Sequence, residues 1–154
     1  MQRITRGTGA LMTGVVLLVA GCGRGGTADL PSACNFADGA STVKSALARA
    51  PGAVTVDGTP LSKCLGRDAD AADVQSVGAA YVDTASDLAA RVRANPHGAA
   101  AVQLGYLVGA VRRGASKTAG IHYELERRLD QEVNGIDTRS SDFVRGERAG
   151  EASG

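Results

Sequence analysis

The chain has 154 residues, with 17 Lys and Arg against 16 Asp and Glu and a formal charge of +1. That balance argues against a nucleic-acid binder, which needs a dominant basic face. With no Trp, 2 Phe and 3 Tyr, stacking platforms for bases or sugars are poorly supplied, and any core has to be built mainly from Ala, Val and Leu.

The first 22 residues have the order of a secretory leader. Arg3 and Arg6 form a cationic start, residues 10–19 an apolar centre, and Ala20 and Gly21 are small residues at a cleavage point. A membrane-spanning helix needs about 20 apolar residues, and this run is far shorter. Arg3 and Arg6 are not adjacent, so a twin-arginine route has no support. The sequence Val19-Ala20-Gly21-Cys22 resembles the lipobox of bacterial lipoproteins, in which an aliphatic residue and two small ones precede the cysteine that receives lipid. The resemblance implies removal of residues 1–21 as a signal peptide, a diacylglyceryl group on the Cys22 thiol, and anchoring on the extracytoplasmic face of the cell membrane. Two acyl chains anchor stably where one binds only marginally. Position 23 is Gly, so the Asp that signals inner-membrane retention in enveloped bacteria is absent.

The mature chain, residues 22–154, suits one domain. Without Arg3 and Arg6 it carries 15 basic residues against 16 acidic ones. A lipidated Cys22 leaves Cys34 and Cys64 as one pair in an oxidising compartment, and a structural disulfide is the expectation. The spacing provides no C-x-x-C unit, and two thiols alone do not make a zinc site.

Residues 22–33 read as the lipidated cysteine and a flexible tether, because Gly and polar residues provide no face to bury. A helical domain is expected over 34–135. Within 35–50, Val43, Ala46, Leu47 and Ala50 share one face of a short helix, which Pro51-Gly52 stops. Val54 and Val56 alternate with Thr55, and Asp57-Gly58 is a turn pair, so a minimal hairpin or an extended loop is expected there, pinned by Cys64. Residues 70–94 form a long helix with Val74, Val77, Tyr81, Ala85, Leu88 and Val92 on one side. Asp68, Asp70 and Asp73 stand at its positive end and Arg91 and Arg93 at its negative end. Asn95 and Pro96 read as the cap and first residue of a helix over 96–113, apolar almost all round, as the centre of a bundle would be. Ile121, Leu125, Leu129 and Val133 mark a last helix over 121–133. Residues 136–154 are charged and nearly free of apolar side chains and read as a disordered tail. The fold class expected is all-α: a small bundle of three long helices and one short, with a disulfide-pinned loop.

The candidate chemistry is sparse. Asp68, Asp70 and Asp73 lack the further ligands and the glycine of a calcium loop, and no metal or cofactor is expected. The run from Gly109 to Gly114 and Lys117 departs from a P-loop, in which Lys follows the second Gly directly. His122 stands four residues before Glu126, so the two could pair as a base and its carboxylate. No serine or cysteine is placed as nucleophile, so a hydrolase is the weakest of three readings and no catalytic residue is assigned. A small-ligand pocket around Tyr106, His122 and Tyr123 is the second. The first is a non-enzymatic interaction or structural domain whose partner is an envelope protein or cell-wall component. Arg112, Arg113, Lys117, Arg127 and Arg128 could form a basic patch toward anionic lipid or cell-wall polymer, but solvation and helix capping account for them as well. Ala101, Gly105 and Gly109 recur every four residues and share one side of their helix. Two glycines each cost about 1 kcal/mol there relative to alanine, so another backbone is expected close by, on the face carrying Val74–Val92 or on that of Ile121–Val133. The stretches Gln103–Gly109 and Gly120–Leu125 resemble uncharacterised lipoproteins of GC-rich bacteria, a resemblance that implies no activity.

Overall fold

A computed structural model describes residues 29–67, 69–116 and 120–154. The leader, Cys22, most of the tether, Asp68 and Lys117 lie outside the described residues. The described chain is mostly helical: α1 Ala40–Leu47, α2 Ala71–Ala94, α3 Ala99–Ala115, α4 Ile121–Glu132 and α5 Ser141–Ser153. Between α1 and α2 lies a two-stranded hairpin, β1 Thr55–Val56 and β2 Thr59–Pro60, paired Thr55 to Pro60 and Val56 to Thr59. Its two turn residues, Asp57 and Gly58, have φ of 47° and 79°, the left-handed pair that lets a tight hairpin follow the strand twist.

The Cys34–Cys64 disulfide is present, with Cα atoms 5.3 Å apart. It joins two short 3₁₀ turns, Ser32–Cys34 and Leu61–Cys64, and both cysteines are buried. The end of the expected tether belongs to the fold, because Leu30 packs against the core and the turn at Ser32 follows it.

α2 begins where its acids place it. Asp70 caps it, its side chain accepting from the Ala72 amide at 2.8 Å. Its expected stripe is buried: Val74, Val77, Tyr81, Ala85, Leu88 and Val92. α1 lies against α2, where Thr84 Oγ1 donates to the Ala40 carbonyl at 3.2 Å and Lys44 meets Asp87 at 2.5 Å. The Tyr81 hydroxyl donates to the Leu61 carbonyl at 2.7 Å, and its ring lies 5.8 Å from that of Phe36. The next helix starts later than expected: Asn95 closes α2, Gly98 precedes α3, and Pro96 is outside any helix. From Ala101 to Val111 the side chains of α3 are buried apart from Gln103, as suits the central helix.

The largest departure is at the C-terminus. Residues 141–153, expected to be disordered, form α5, capped by Ser140, which accepts from the Phe143 amide at 3.4 Å. Among the described residues four long helices therefore accompany one short one, and the domain extends well past 135. α5 runs parallel to α3 at the distance only glycine permits. A Cβ built on Gly105 would fall on the Phe143 carbonyl, 2.9 Å from the Glu147 amide nitrogen, and one on Gly109 would meet Glu147 and Glu151 likewise. The relation is reciprocal: Gly146 faces Val102 and Tyr106, and Gly150 faces Tyr106 and Ala110. The close backbone partner expected for Gly105 and Gly109 exists, but it is α5 rather than α2 or α4. Ala101, the third residue of that row, is fully buried. Such G-x-x-x-G contacts hold membrane helices together through close packing; here the pair lies inside a bundle that also contains α2 and the disulfide-pinned hairpin.

Candidate functional site

The structure does not assemble Tyr106, His122 and Tyr123 into a pocket. Tyr106 is fully buried on α3, where its hydroxyl accepts from the Val54 amide at 3.2 Å and pairs with Ser153 Oγ at 3.2 Å. It ties the hairpin and the end of α5 to the central helix. Tyr123 is 67% exposed. His122 is buried beneath α4, and its Nε2 has no hydrogen-bond partner. A tyrosine in the core and one in solvent cannot line one cavity.

Nor does a His–carboxylate pair form. No hydrogen bond joins His122 to Glu126; Glu126 instead borders a small pit with Val108, Val111 and Leu129. Glu124, on the same helix, has two cation partners. It accepts from Arg127 at 2.9 Å and from Arg128 at 2.9 Å, and these bonds hold its pKa down at about 2.

The cations weighed as a basic patch are largely consumed by pairing. Arg127 and Arg128 share Glu124. Arg112 bridges Asp130 on α4, at 3.4 Å, and Glu147 on α5. Arg113 donates to the carbonyls of Glu151 and Ala152 at 2.6 and 2.8 Å, filling the role of a cation at the negative end of α5. Lys117 lies outside the described residues. The P-loop-like glycines leave no cradle for phosphate, since Gly109 is covered by α5 and a Cβ on Gly114 would stand 2.8 Å from the Ser62 carbonyl. Of the three aspartates weighed for calcium, Asp70 is committed as a cap, and Asp68 lies outside the described residues. Among the described residues no group of three or more His, Cys, Asp or Glu gathers as a metal site would require.

Among the described residues, several surface features remain. An apolar groove of about 290 Å³ runs between α2 and α4, floored by Val74, Gly78, Val82, Ile121 and Leu125 and edged by Glu124 and Arg128. A polar cleft of about 630 Å³ lies where the loop after α4 passes α5, and Arg112, Asp130 and Glu147 cross it. A third groove, of about 380 Å³, is lined by Lys63, Arg67 and Arg113 around Gly66 and Gly114. Lys63 and Arg67 had no place in the sequence reading, because it is the disulfide-pinned turn that brings them beside the end of α3. Among the described residues no helix is long and apolar enough to cross a membrane. Comparison with known proteins finds no matching family model, no matching curated protein and no matching solved structure.

Proposed function

We propose that the chain is an extracytoplasmic lipoprotein: residues 1–21 direct export, Cys22 carries lipid, and the helical domain is held at the outer face of the cell membrane as an interaction or structural module. The observation that carries this reading is the ordered leader ending in Val19-Ala20-Gly21-Cys22. The Cys34–Cys64 bridge supports it, since structural disulfides persist in oxidising compartments and are rare in the cytosol. An interaction role draws support from the fate of the residues expected to line a ligand pocket. Tyr106, the buried tyrosine expected beside such a pocket, has its hydroxyl committed to the fold. The apolar groove between α2 and α4, at about 290 Å³, lies at the lower edge of the ~300–1,000 Å³ usual for small-molecule sites. It suits a side chain or two of a partner, an envelope protein or cell-wall component, better than an enclosed ligand.

Fractionation of cells expressing the full chain tests the anchoring. The protein is expected in the membrane fraction at high salt and in carbonate, and Cys22→Ser is expected to accumulate as the longer, unprocessed form. A parent protein recovered in the soluble fraction, or a Cys22→Ser variant processed like the parent, would overturn the reading.

A further inference from the structure

We propose that the face carrying Lys63, Arg67 and Arg113 seats on an anionic lipid surface and sets the orientation of the domain on the membrane; this rests on the anchoring reading above. The three cations line one groove, and none of the residues lining it is an Asp or Glu. All three are exposed. Lys63 and Arg67 make no ion pair or hydrogen bond to another described residue, in contrast to Arg112, Arg127 and Arg128, whose charges are matched. Arg113 holds α5 through the Glu151 and Ala152 carbonyls and adds a third positive charge to the groove. This concentration stands out on a mature chain whose formal charge is −1.

A second, independent observation places the membrane on this side. Leu30, near the start of the described chain, packs beside the same turn: a Cβ built on Gly66 would lie 3.4 Å from Leu30 Cδ2. The described chain thus begins, at Asp29 and Leu30, next to Gly66. Asp29 is the seventh residue after Cys22, and at ~3.3–3.6 Å per residue those seven steps reach at most about 25 Å. A lipid on Cys22 holds this edge of the domain near the headgroups. The chemistry it meets there is phosphodiester anions, for which exposed Lys and Arg are the matching groups. The disulfide fixes the turn that carries Lys63 to the turn just after Leu30, so the exit of the chain and the cations move as one body.

The occupant is an anionic bilayer, and the probe is vesicles of phosphatidylglycerol mixed three to seven with phosphatidylcholine, beside vesicles of phosphatidylcholine alone. The full chain carrying Cys22→Ser is used throughout, so that acylation makes no contribution. The quantity read is the ratio of partition coefficients between the two vesicle types at low salt. The apolar leader and its two arginines contribute equally to every variant and cancel on comparison. A basic residue near such a surface contributes about fivefold. Lys63→Gln with Arg67→Gln is therefore expected to lower the ratio by roughly 25-fold. Arg91→Gln with Arg148→Gln, an equal charge change at exposed residues elsewhere, is expected to change it by less than about threefold. Circular dichroism of both pairs checks that the fold is retained. Equal losses for the two pairs, or no loss for Lys63 and Arg67, would overturn the proposal. Failure of the anchoring reading shows itself separately, as unmodified Cys22 in the exported parent protein, and leaves the vesicle comparison standing on its own.

Discussion

Replacing Gly146 by alanine tests the packing of α5 on α3. At an open helical site this change gains about 1 kcal/mol, because alanine is the better helix former. At Gly146 the added methyl would fall on the Val102 carbonyl, 2.8 Å from its carbon and 2.9 Å from the Tyr106 nitrogen. These are backbone atoms of the central helix, and no change of rotamer removes them. Carbon atoms prefer separations of about 3.5–4.0 Å, so the two helices have to part by about 1 Å. Parting them also loosens the contacts at Gly105, Gly109 and Gly150. Overpacking costs about 1–3 kcal/mol where side chains can yield. Backbone contact places this case at or above the upper end, leaving about 2 kcal/mol of net destabilisation once the helix preference is subtracted. For a domain of this size the melting temperature should fall by about 6–12 °C, read by circular dichroism on the purified protein. Gly78→Ala on α2 is the matched control. Its methyl would meet only Leu125, at 3.5 and 3.8 Å, an ordinary contact, so the melting temperature should rise by a few degrees. A Gly146→Ala protein as stable as its parent would mean that α5 does not sit on α3.

Three further outcomes follow from the same structure. Replacing Cys34 and Cys64 together by serine opens a loop with a sequence separation of 30 and should cost about 3–4 kcal/mol, read as a lower urea midpoint; an unchanged midpoint would mean the bridge does not constrain the unfolded chain. His122→Leu removes a buried ring nitrogen that has no partner and should leave stability unchanged or slightly higher, whereas a loss above about 2 kcal/mol would show that the imidazole makes a bond the fold depends on. Burial pushes the Tyr81 hydroxyl well above the ordinary phenol value of 10.0. The stability this represents is complete below that value and is lost as the pH rises above it. Tyr81→Phe, at the cost of the bond to the Leu61 carbonyl, should therefore flatten the alkaline fall in stability; an equally steep fall in the variant would place its origin elsewhere.

Most of the helices are legible because their stripes are made of large apolar side chains at helical spacing, as on α2. The hairpin is legible from Asp57-Gly58, and the bridge from the parity of the cysteines. α5 is hidden for a physical reason. Its buried face is Phe143, Gly146 and Gly150, so what it contributes to the core is chiefly the closeness of its backbone, and hydrophobic patterning cannot register that. A signal was present: Gly146 and Gly150 repeat the four-residue spacing of Gly105 and Gly109, and Ser140 with Asp142 marks a helix start. The helix over 96–113 begins three residues late because Asn95 serves the end of α2 instead. The supposed ligand residues fail because periodicity alone does not say which of two adjacent residues on α4, His122 or Tyr123, turns inward. The grouping of Lys63 and Arg67 with Arg113 is a tertiary event made by the disulfide-pinned turn, and no local pattern announces it.

The central claim, that Cys22 is the lipidated N-terminus of an exported domain, is tested most directly by the intact mass and N-terminal peptide of the protein isolated from its own membranes. The expected product is a chain starting at Cys22, carrying a diacylglyceryl group on sulfur, with Cys34 and Cys64 joined. A chain still beginning at Met1, or a cleaved chain beginning elsewhere with an unmodified Cys22, would contradict it.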